Sequence, residues 1–443
     1  MAAAVLTGPT VVTGPSVTTG QGDDPIARVQ VSFDADLTQP PVWTDITQYA
    51  RSIDFQRGRQ FELDQFEAGT CAVVLSTNDG RFSPENTSGP YAQYLTPLRR
   101  IRLTAEYDGV VYPLWAGFVE TWEPSVAANG KDLITTMLCA DAFKALRYVD
   151  ASGSYPAQLA GERIRSLLDG VTAYDVVTSA DGTEYSTPVV VSNQDPLGFA
   201  QTAAAVEQGF LYCDEQGRIR FDDRNYRTIN ETTARIVFGD GTGERPYTDA
   251  VYSYNDERLY TEVKVKPGDA GTEQVAENAT AIASFGRRTL ALTLPVQVGE
   301  NDDTPDEEWC ARLANFLLGR YDSPGIRLDE LEAFPASDRS MWPAVLSAPL
   351  GGRLLVRQRP AYLVASGAEN LTSPTKVTGT TVTTGTGGTL ERAVYIERIL
   401  MSIRPSASEW RVRYGLSNAD NLSYWVLGRS GFSELGVTTR LGL

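Results

Sequence analysis

Between residues 26 and 149 short β-prone runs follow one another with only turn chemistry between them. ARVQVSF, RSIDFQ, TCAVVLS, RIRLTAEY, LWAGFVETW and DLITTMLCA are rich in β-branched and aromatic side chains. Asn-Asp-Gly at 78–80, Tyr-Asp-Gly at 107–109 and Ala-Asn-Gly at 128–130 mark turns between them. Six or more strands at this spacing predict a sandwich or barrel. DAFKALRYV, 141–149, predicts a short helix that closes the region.

Within that region FELDQFEAGTCAVVLSTNDGRFSP, 61–84, concentrates acids, an arginine, a cysteine and glycines around one apolar run. AGTCAVVLS is a strand with glycine at its entrance. It leaves through the Asn-Asp-Gly turn, and Pro84 forbids a further central-strand hydrogen bond. The preceding ELDQFE alternates with Phe61, Leu63 and Phe66 as one wet and one dry face would. No nucleophile, base and orienting group converge there, so the stretch builds a sheet. Arg-Arg-Ile-Arg at 99–102, with the earlier Arg-Gly-Arg at 57–59, reads as Ile101 and Leu103 inward and arginines capping a sheet face or meeting neighbouring acids.

The period then changes. In YPAQLAGERIRSLLDG, Ala160, Ile164, Leu167 and Leu168 share a helical face between Pro156 and Gly170. A second helix is predicted from Asp195–Pro196 to Gly209, with Phe199, Ala203 and Val206 on one stripe. FLYCDEQGRIRFDD, 210–223, predicts a hairpin turning at Gln216–Gly217. Residues 224–300 return to strands such as ARIVF, TEVKVKP and RTLALTLPVQV. A third helix is predicted to open at Thr304–Pro305, with Glu307 completing a capping box, a stripe of Trp309, Leu313, Phe316 and Leu317, and Gly319 at its end. RLDELEAF, GGRLLVRQ, RAVYIERILMSI and EWRVRYGL form a second β set. VTGPSVTTG at 12–20 returns as VTGTTVTTG at 377–385, a composition that suits extended ribbon rather than a core.

Length and charge narrow the function. A chain of 443 residues implies two or three domains. Net charge −17 opposes phosphate-gripping, which needs Lys and Arg, so specific nucleic-acid binding is not expected. There is no histidine, which removes Ser–His–Asp and Cys–His catalysis and histidine-bound zinc. Cys71, Cys139, Cys213 and Cys310 have no metal-ligand spacing and are expected as buried free thiols. GDGTGERP, 239–246, lacks the Lys-Ser or Lys-Thr of a phosphate loop and reads as a loop. The acid pairs Asp222–Asp223 and Asp302–Asp303 read as solvated faces, although a carboxylate-based glycosidase could be drawn from them. No catalytic, cofactor-binding or metal residue is therefore assigned and no cofactor is expected. No apolar run approaches the roughly 18 residues of a membrane helix, and MAAAVLTGPT lacks a secretion signal, so cytoplasmic synthesis without membrane insertion is expected.

A resemblance adds to this. WTDIT, the Arg-Gly-Arg-x-x-Glu-Leu-Asp-x-Phe-x-Ala-Gly-Thr run, NDGRFSP-x-N, TPLRRIRL, ADAFKALRYV and SYWVLGRSGFSELGVTTRLGL are similar to pieces of minor tail proteins of long-tailed phages infecting actinobacteria. The domain order resembles the tail-hub, or baseplate-hub, family. The resemblance implies a mainly β fold with an inserted α+β module and two tube-like β-barrel or sandwich domains. The expected division is an extended arm at 1–25, a first barrel at 26–149, an α+β module at 150–225 and a β-rich connection ending in a helix at 226–319. A second barrel at 320–415, with a Thr/Gly-rich loop at 372–389, and a C-terminal segment at 416–443 complete it.

The implied function is a structural ring at the distal end of the virion tail, without enzymatic activity. Three chains of two barrels would give a ring of six, through which genome DNA passes without specific binding. Implied partners are a distal tail protein, a tape-measure protein and tip or fibre proteins. The chain ends soon after the second barrel, leaving no room for a long fibre or a lysozyme-like domain. The rival readings are a distal tail protein with one barrel per chain, a cell-wall glycosidase and a receptor-binding lectin-like module.

Overall fold

The structure, a computed structural model, describes residues 24–33, 39–126, 132–169, 174–359 and 389–419, and the backbone of strands at 380–383, 423–425 and 439–441. Nearly all of the expected arm at 1–25, the turn at 128–130, most of the loop at 372–389 and most of the segment at 416–443 lie outside the described residues.

The first strand-rich region forms β1 (Ile26–Ser32), β2 (Trp43–Asp45), β3 (Ala50–Gly58), β4 (Glu67–Ser76), β5 (Arg100–Tyr107), β6 (Val110–Val126) and β7 (Leu133–Ala140). All six expected runs are strands. Period-two alternation is the cause: Cys71, Val73 and Leu75 of β4 are buried while Ala72, Val74 and Ser76 face outward. The β5–β6 hairpin turns on Asp108 and Gly109, both left-handed at φ 50° and 73°, as the twist of a two-residue hairpin demands. The closing helix α1 (Ala142–Leu146) is capped by Asp141, whose side chain accepts from Phe143 N.

The central module holds β8 (Ala151–Tyr155), β9 (Gln158–Leu159), α2 (Ala160–Leu168), β10 (Val176–Thr178), β11 (Tyr185–Ser186), β12 (Val189–Gln194) and α3 (Pro196–Glu207). The hairpin of β13 (Phe210–Cys213) and β14 (Ile219–Asp222) follows, then α4 (Tyr226–Asn230). Helix α2 buries Ala160, Ile164, Leu167 and Leu168, as its spacing predicts. Asp195 caps α3 and Pro196 opens it.

Beyond come β15 (Ile236–Phe238), β16 (Asp249–Ser253), β17 (Glu262–Pro267), β18 (Gln274–Glu277), α5 (Ala279–Phe285), β19 (Thr289–Leu294), β20 (Val296–Gly299), β21 (Asp302–Pro305) and α6 (Glu307–Tyr321). The expected start of α6 is corrected. Thr304 and Pro305 lie in β21, and Asp306 is the cap, accepting from Trp309 N at 2.8 Å. Helix α6 also runs past Gly319, and its Trp309, Leu313 and Leu317 pack with Val263 and Val265 of β17 in a second core. The last set is β22 (Arg327–Ala333), α7 (Trp342–Leu346), β23 (Arg353–Gln358), β24 (Thr380–Thr383), β25 (Thr389–Arg404) and β26 (Glu409–Asn418), with β27 (Ser423–Trp425) and β28 (Thr439–Leu441) paired apart.

One sheet runs through both strand-rich regions in the order β16-β22-β26-β25-β3-β4-β7-β6-β5-β1-β2, with β23 and β24 attached to β25 and β15 to β23. Strands β15 and β16 lie in the connection at 226–319 but join this sheet. Within it, β3-β4-β7-β6-β5 and β16-β22-β26-β25-β23 repeat one topology. In chain order each is first, second, fifth, fourth, third, with every neighbour antiparallel. The two sets meet where β3 pairs β25, Ile53 opposite Ile403 through Gly58 opposite Arg398.

Candidate functional site

The Arg-Gly-Arg stretch lies at the seam between the two sets. Gly58 has φ 113°, and a Cβ there would stand 2.1 Å from the Glu397 carbonyl oxygen and 2.8 Å from Arg398 Cα. Only glycine lets β3 and β25 approach this closely. The arginines on either side turn inward rather than capping a wet face, Arg57 at 6% exposure and Arg59 at 9%.

Arg59 donates from Nε to Glu397 Oε2 at 2.8 Å, and its backbone N–H reaches the Glu397 carbonyl at 2.9 Å. Arg227 of α4 donates to both Glu397 oxygens at 2.5 and 3.3 Å, and the Ser417 hydroxyl donates to Oε1 at 2.7 Å. Arg227 also lies 3.6 Å from the Phe210 ring centre, and Arg59 is 4.7 Å from that of Phe66. Arg57 pairs with Glu215 at 3.0 Å, in the turn between β13 and β14. Burial alone would raise the Glu397 carboxyl, but Arg227 and Arg59 hold it well below the usual carboxylate range.

Glu62 corrects the expected wet face of ELDQFE. Its side chain is 10% exposed, accepting from Tyr321 OH at 2.8 Å and Arg320 at 3.1 Å, with Arg258 4.0 Å away. Burial raises its carboxyl, and Arg320 and Arg258 outweigh that and lower it. Strand β3 ends at Gly58, so the alternation rule no longer applies by residue 62. These groups border a cavity of about 420 Å³ between both strand sets, α3 and α6, with Phe66, Phe210, Leu290, Leu292 and Phe316 among its walls.

A further buried carboxyl ties β4 to the closing helix α1. Asp141 accepts from Gly69 N at 2.6 Å and Phe143 N at 3.0 Å. A Cβ on Gly69 would stand 2.7 Å from Asp141 Oδ2, which explains the glycine at the entrance of β4. Burial pushes Asp141 up to about 7, against the backbone donors that favour its charged form.

The carboxylates at the seam are matched to guanidiniums, and arginine does not give up its proton near neutrality. Asp222 is buried, accepting from Tyr212 OH at 2.7 Å and Arg220 Nε at 3.0 Å, whereas Asp302 and Asp303 sit exposed in β21. Those two pairs lie in different sheets. The 239–246 loop is tied by Glu244, which accepts from Gly241 N at 2.7 Å and from Arg359 at 3.0 Å. All four cysteines are free and buried. Among the described residues no three His, Cys, Asp or Glu gather where a metal could bind.

The outer face of the sheet is polar. Across the seam Arg404 pairs with Asp54 at 3.1 Å, and within the second set Arg413 pairs with Glu332 at 2.7 Å and Arg398 with Glu330 at 2.6 Å. A shallow depression of about 580 Å³ there is lined by Asp54, Gln56, Thr70, Glu120, Glu332 and Arg413, among others.

No protein-family model matches the chain, and no curated protein does. Solved structures do. The 43 kDa tail protein of prophage MuSo2 from Shewanella oneidensis is similar over 89% of this chain and 98% of its own, with 13% identity and a TM-score of 0.53. The tail protein from Neisseria meningitidis MC58 is similar over 89% of this chain and 96% of its own, with 10% identity and a TM-score of 0.54. At these identities the likeness is one of fold, and it takes in both strand sets and the module: this chain has the fold of those two tail proteins.

Proposed function

We propose that the chain is a structural, non-enzymatic component of a phage tail, forming a hub ring at the distal end of the tail tube. The observation that carries this reading is the likeness to tail proteins along 89% of the chain, at nearly their full length. The repeated strand sets support two tube-like units per chain, so that three chains supply six. The polar face of the sheet then lines the channel. Its arginines Arg398, Arg404 and Arg413 are matched to carboxylates, which leaves passing DNA little free positive charge to grip there. A distal tail protein, a tape-measure protein and tip or fibre proteins are the neighbours, and the host is an actinobacterium. The rival reading of a distal tail protein requires a second region unlike the first, and the shared strand order counts against it.

Native mass spectrometry of the purified protein tests the ring. Three chains of 48.2 kDa give about 145 kDa. A species that stays at the mass of one chain at every concentration refutes the ring.

A further inference from the structure

The two strand sets share one hydrogen-bond register around a common bulge. Strand β6 bulges at Glu120, with Val119 opposite Cys139 and Thr121 opposite Leu138. Strand β25 bulges at Glu397, with Ile396 opposite Leu416 and Arg398 opposite Gly415. Before each bulge the same backbone exchange occurs. Leu98 N donates to Val119 O at 2.7 Å and Val119 N to Arg99 O at 2.8 Å. Likewise Gly351 N donates to Ile396 O at 2.7 Å and Ile396 N to Gly352 O at 3.0 Å. Leu98 and Gly351 are both left-handed, at φ 64° and 79°. AGFVETWEPSV, 116–126, therefore overlies AVYIERILMSI, 393–403, and the same ladders lay Ala250 on Ile53 and Val251 on Asp54.

This correspondence exposes an asymmetry. The half of β25 beyond its bulge is covered by β3. The matching half of β6, Thr121–Val126, has β7 on one side and no described strand on the other. Strand β16, the counterpart of β3, ends the sheet, with β22 its one described neighbour. Burial tells the same story. Ile403 is fully buried at the seam, and its counterpart Val126 is 58% exposed; Ile53 is buried, and its counterpart Ala250 is half-buried. Among the described strands each chain thus carries one complete seam and both unfilled halves of a second.

We infer that the edge of β16 of one copy pairs antiparallel with Thr121–Val126 of a second copy, in the register of the internal seam. Ala250 then faces Val126 and Val251 faces Ser125. Unpaired strand edges recruit partner strands, and the internal seam defines which one fits. The contact is head-to-tail, so it closes a ring or propagates a filament according to its rotation. This inference rests on the ring reading and specifies its interface.

The test is a Val251→Cys/Ser125→Cys variant treated with a short bismaleimide, since the native thiols are buried. The expected gel ladder ends at three chains. Either single variant alone gives no cross-link, and the two mixed give a dimer band. Asp54→Cys/Ser402→Cys, opposed at the internal seam, cross-links within one chain and serves as the control. Val126→Asp, on the exposed strand end, leaves melting of the isolated chain unchanged and weakens association by about tenfold or more, through an unpaired charge in the interface. Association by mass without the Val251–Ser125 cross-link overturns this seam and leaves the ring standing. A protein that stays monomeric overturns both. A ladder running beyond three chains keeps the seam and refutes the three-chain ring.

Discussion

Truncating Glu397 to alanine removes the acceptor on which the seam's buried charges converge. Two guanidiniums, Arg59 and Arg227, with side chains 9% and 7% exposed, lose their carboxylate, and the Ser417 hydroxyl loses its partner. Breaking a buried ion pair from one side costs about 3–5 kcal/mol. Arg59 keeps the Asp64 carbonyl at 3.0 Å and its stacking on Phe66, which places the expected loss near the lower end, about 3 kcal/mol. The comparison is Arg411→Ala, which removes a pair to Glu409 with side chains 59% and 36% exposed and costs less than about 1 kcal/mol. Urea unfolding followed by tryptophan fluorescence reads both. A triple variant, Glu397→Leu with Arg59→Met and Arg227→Met, recovers most of the loss, because apolar groups of similar volume remove the unpaired charges. The pH dependence has a definite sign. The Glu397 carboxyl is held below its unfolded value of about 4.3. Its contribution is therefore full above that pH and is lost as pH falls toward the folded value, so the gap between wild type and E397A begins to narrow below about pH 4. A Glu397→Ala cost no larger than that of Arg411→Ala, or a triple variant no better than Glu397→Ala, refutes the reasoning.

Asp141 has the opposite sign. Its folded value is raised from 3.8 to about 7, so its stabilisation is present below about pH 4 and lost as pH rises to about 7, by at most about 4 kcal/mol. Asp141→Asn then gains on wild type across that window in denaturant midpoints, and parallel pH profiles refute it. Gly58→Ala drives a methyl into the Glu397 carbonyl at positive φ and is expected to cost several kcal/mol or abolish soluble expression, more than 4 °C in melting temperature in any case. Wild-type melting would refute the close approach. The matched charges of the sheet face predict no retardation of duplex DNA in a gel-shift at about 0.15 M salt, the range in which exposed charges are screened beyond about 8 Å. Tight binding there would contradict the proposed channel face.

The strands of the first region were legible because alternation and turn residues act locally: β4 buries every second side chain, and Asp108–Gly109 can hardly be anything but a hairpin turn. Helix α2 was legible for the same reason at a period of 3.6. The cap of α6 was missed because Thr304 and Pro305, a plausible helix start, are drawn into β21, which pairs with β20. The inward turn of Glu62 was missed because its partners Arg258, Arg320 and Tyr321 lie about 200 residues or more along the chain. The one hint was a glycine between two arginines inside a β-prone run, followed three residues on by a glutamate.

What the sequence determined by itself is therefore the local order, strand-rich, α+β, strand-rich, in an acidic chain without histidine. Those properties depend on neighbours a few residues apart, where propensity and periodicity operate. Tertiary structure alone decided that β16 pairs with β22 across more than 70 residues, that both strand sets join through β3 and β25, and that Glu397 rather than a surface acid receives Arg59 and Arg227. A long-range strand pair leaves no local period, and the cost of burying a charge is met only by a partner that folding brings beside it.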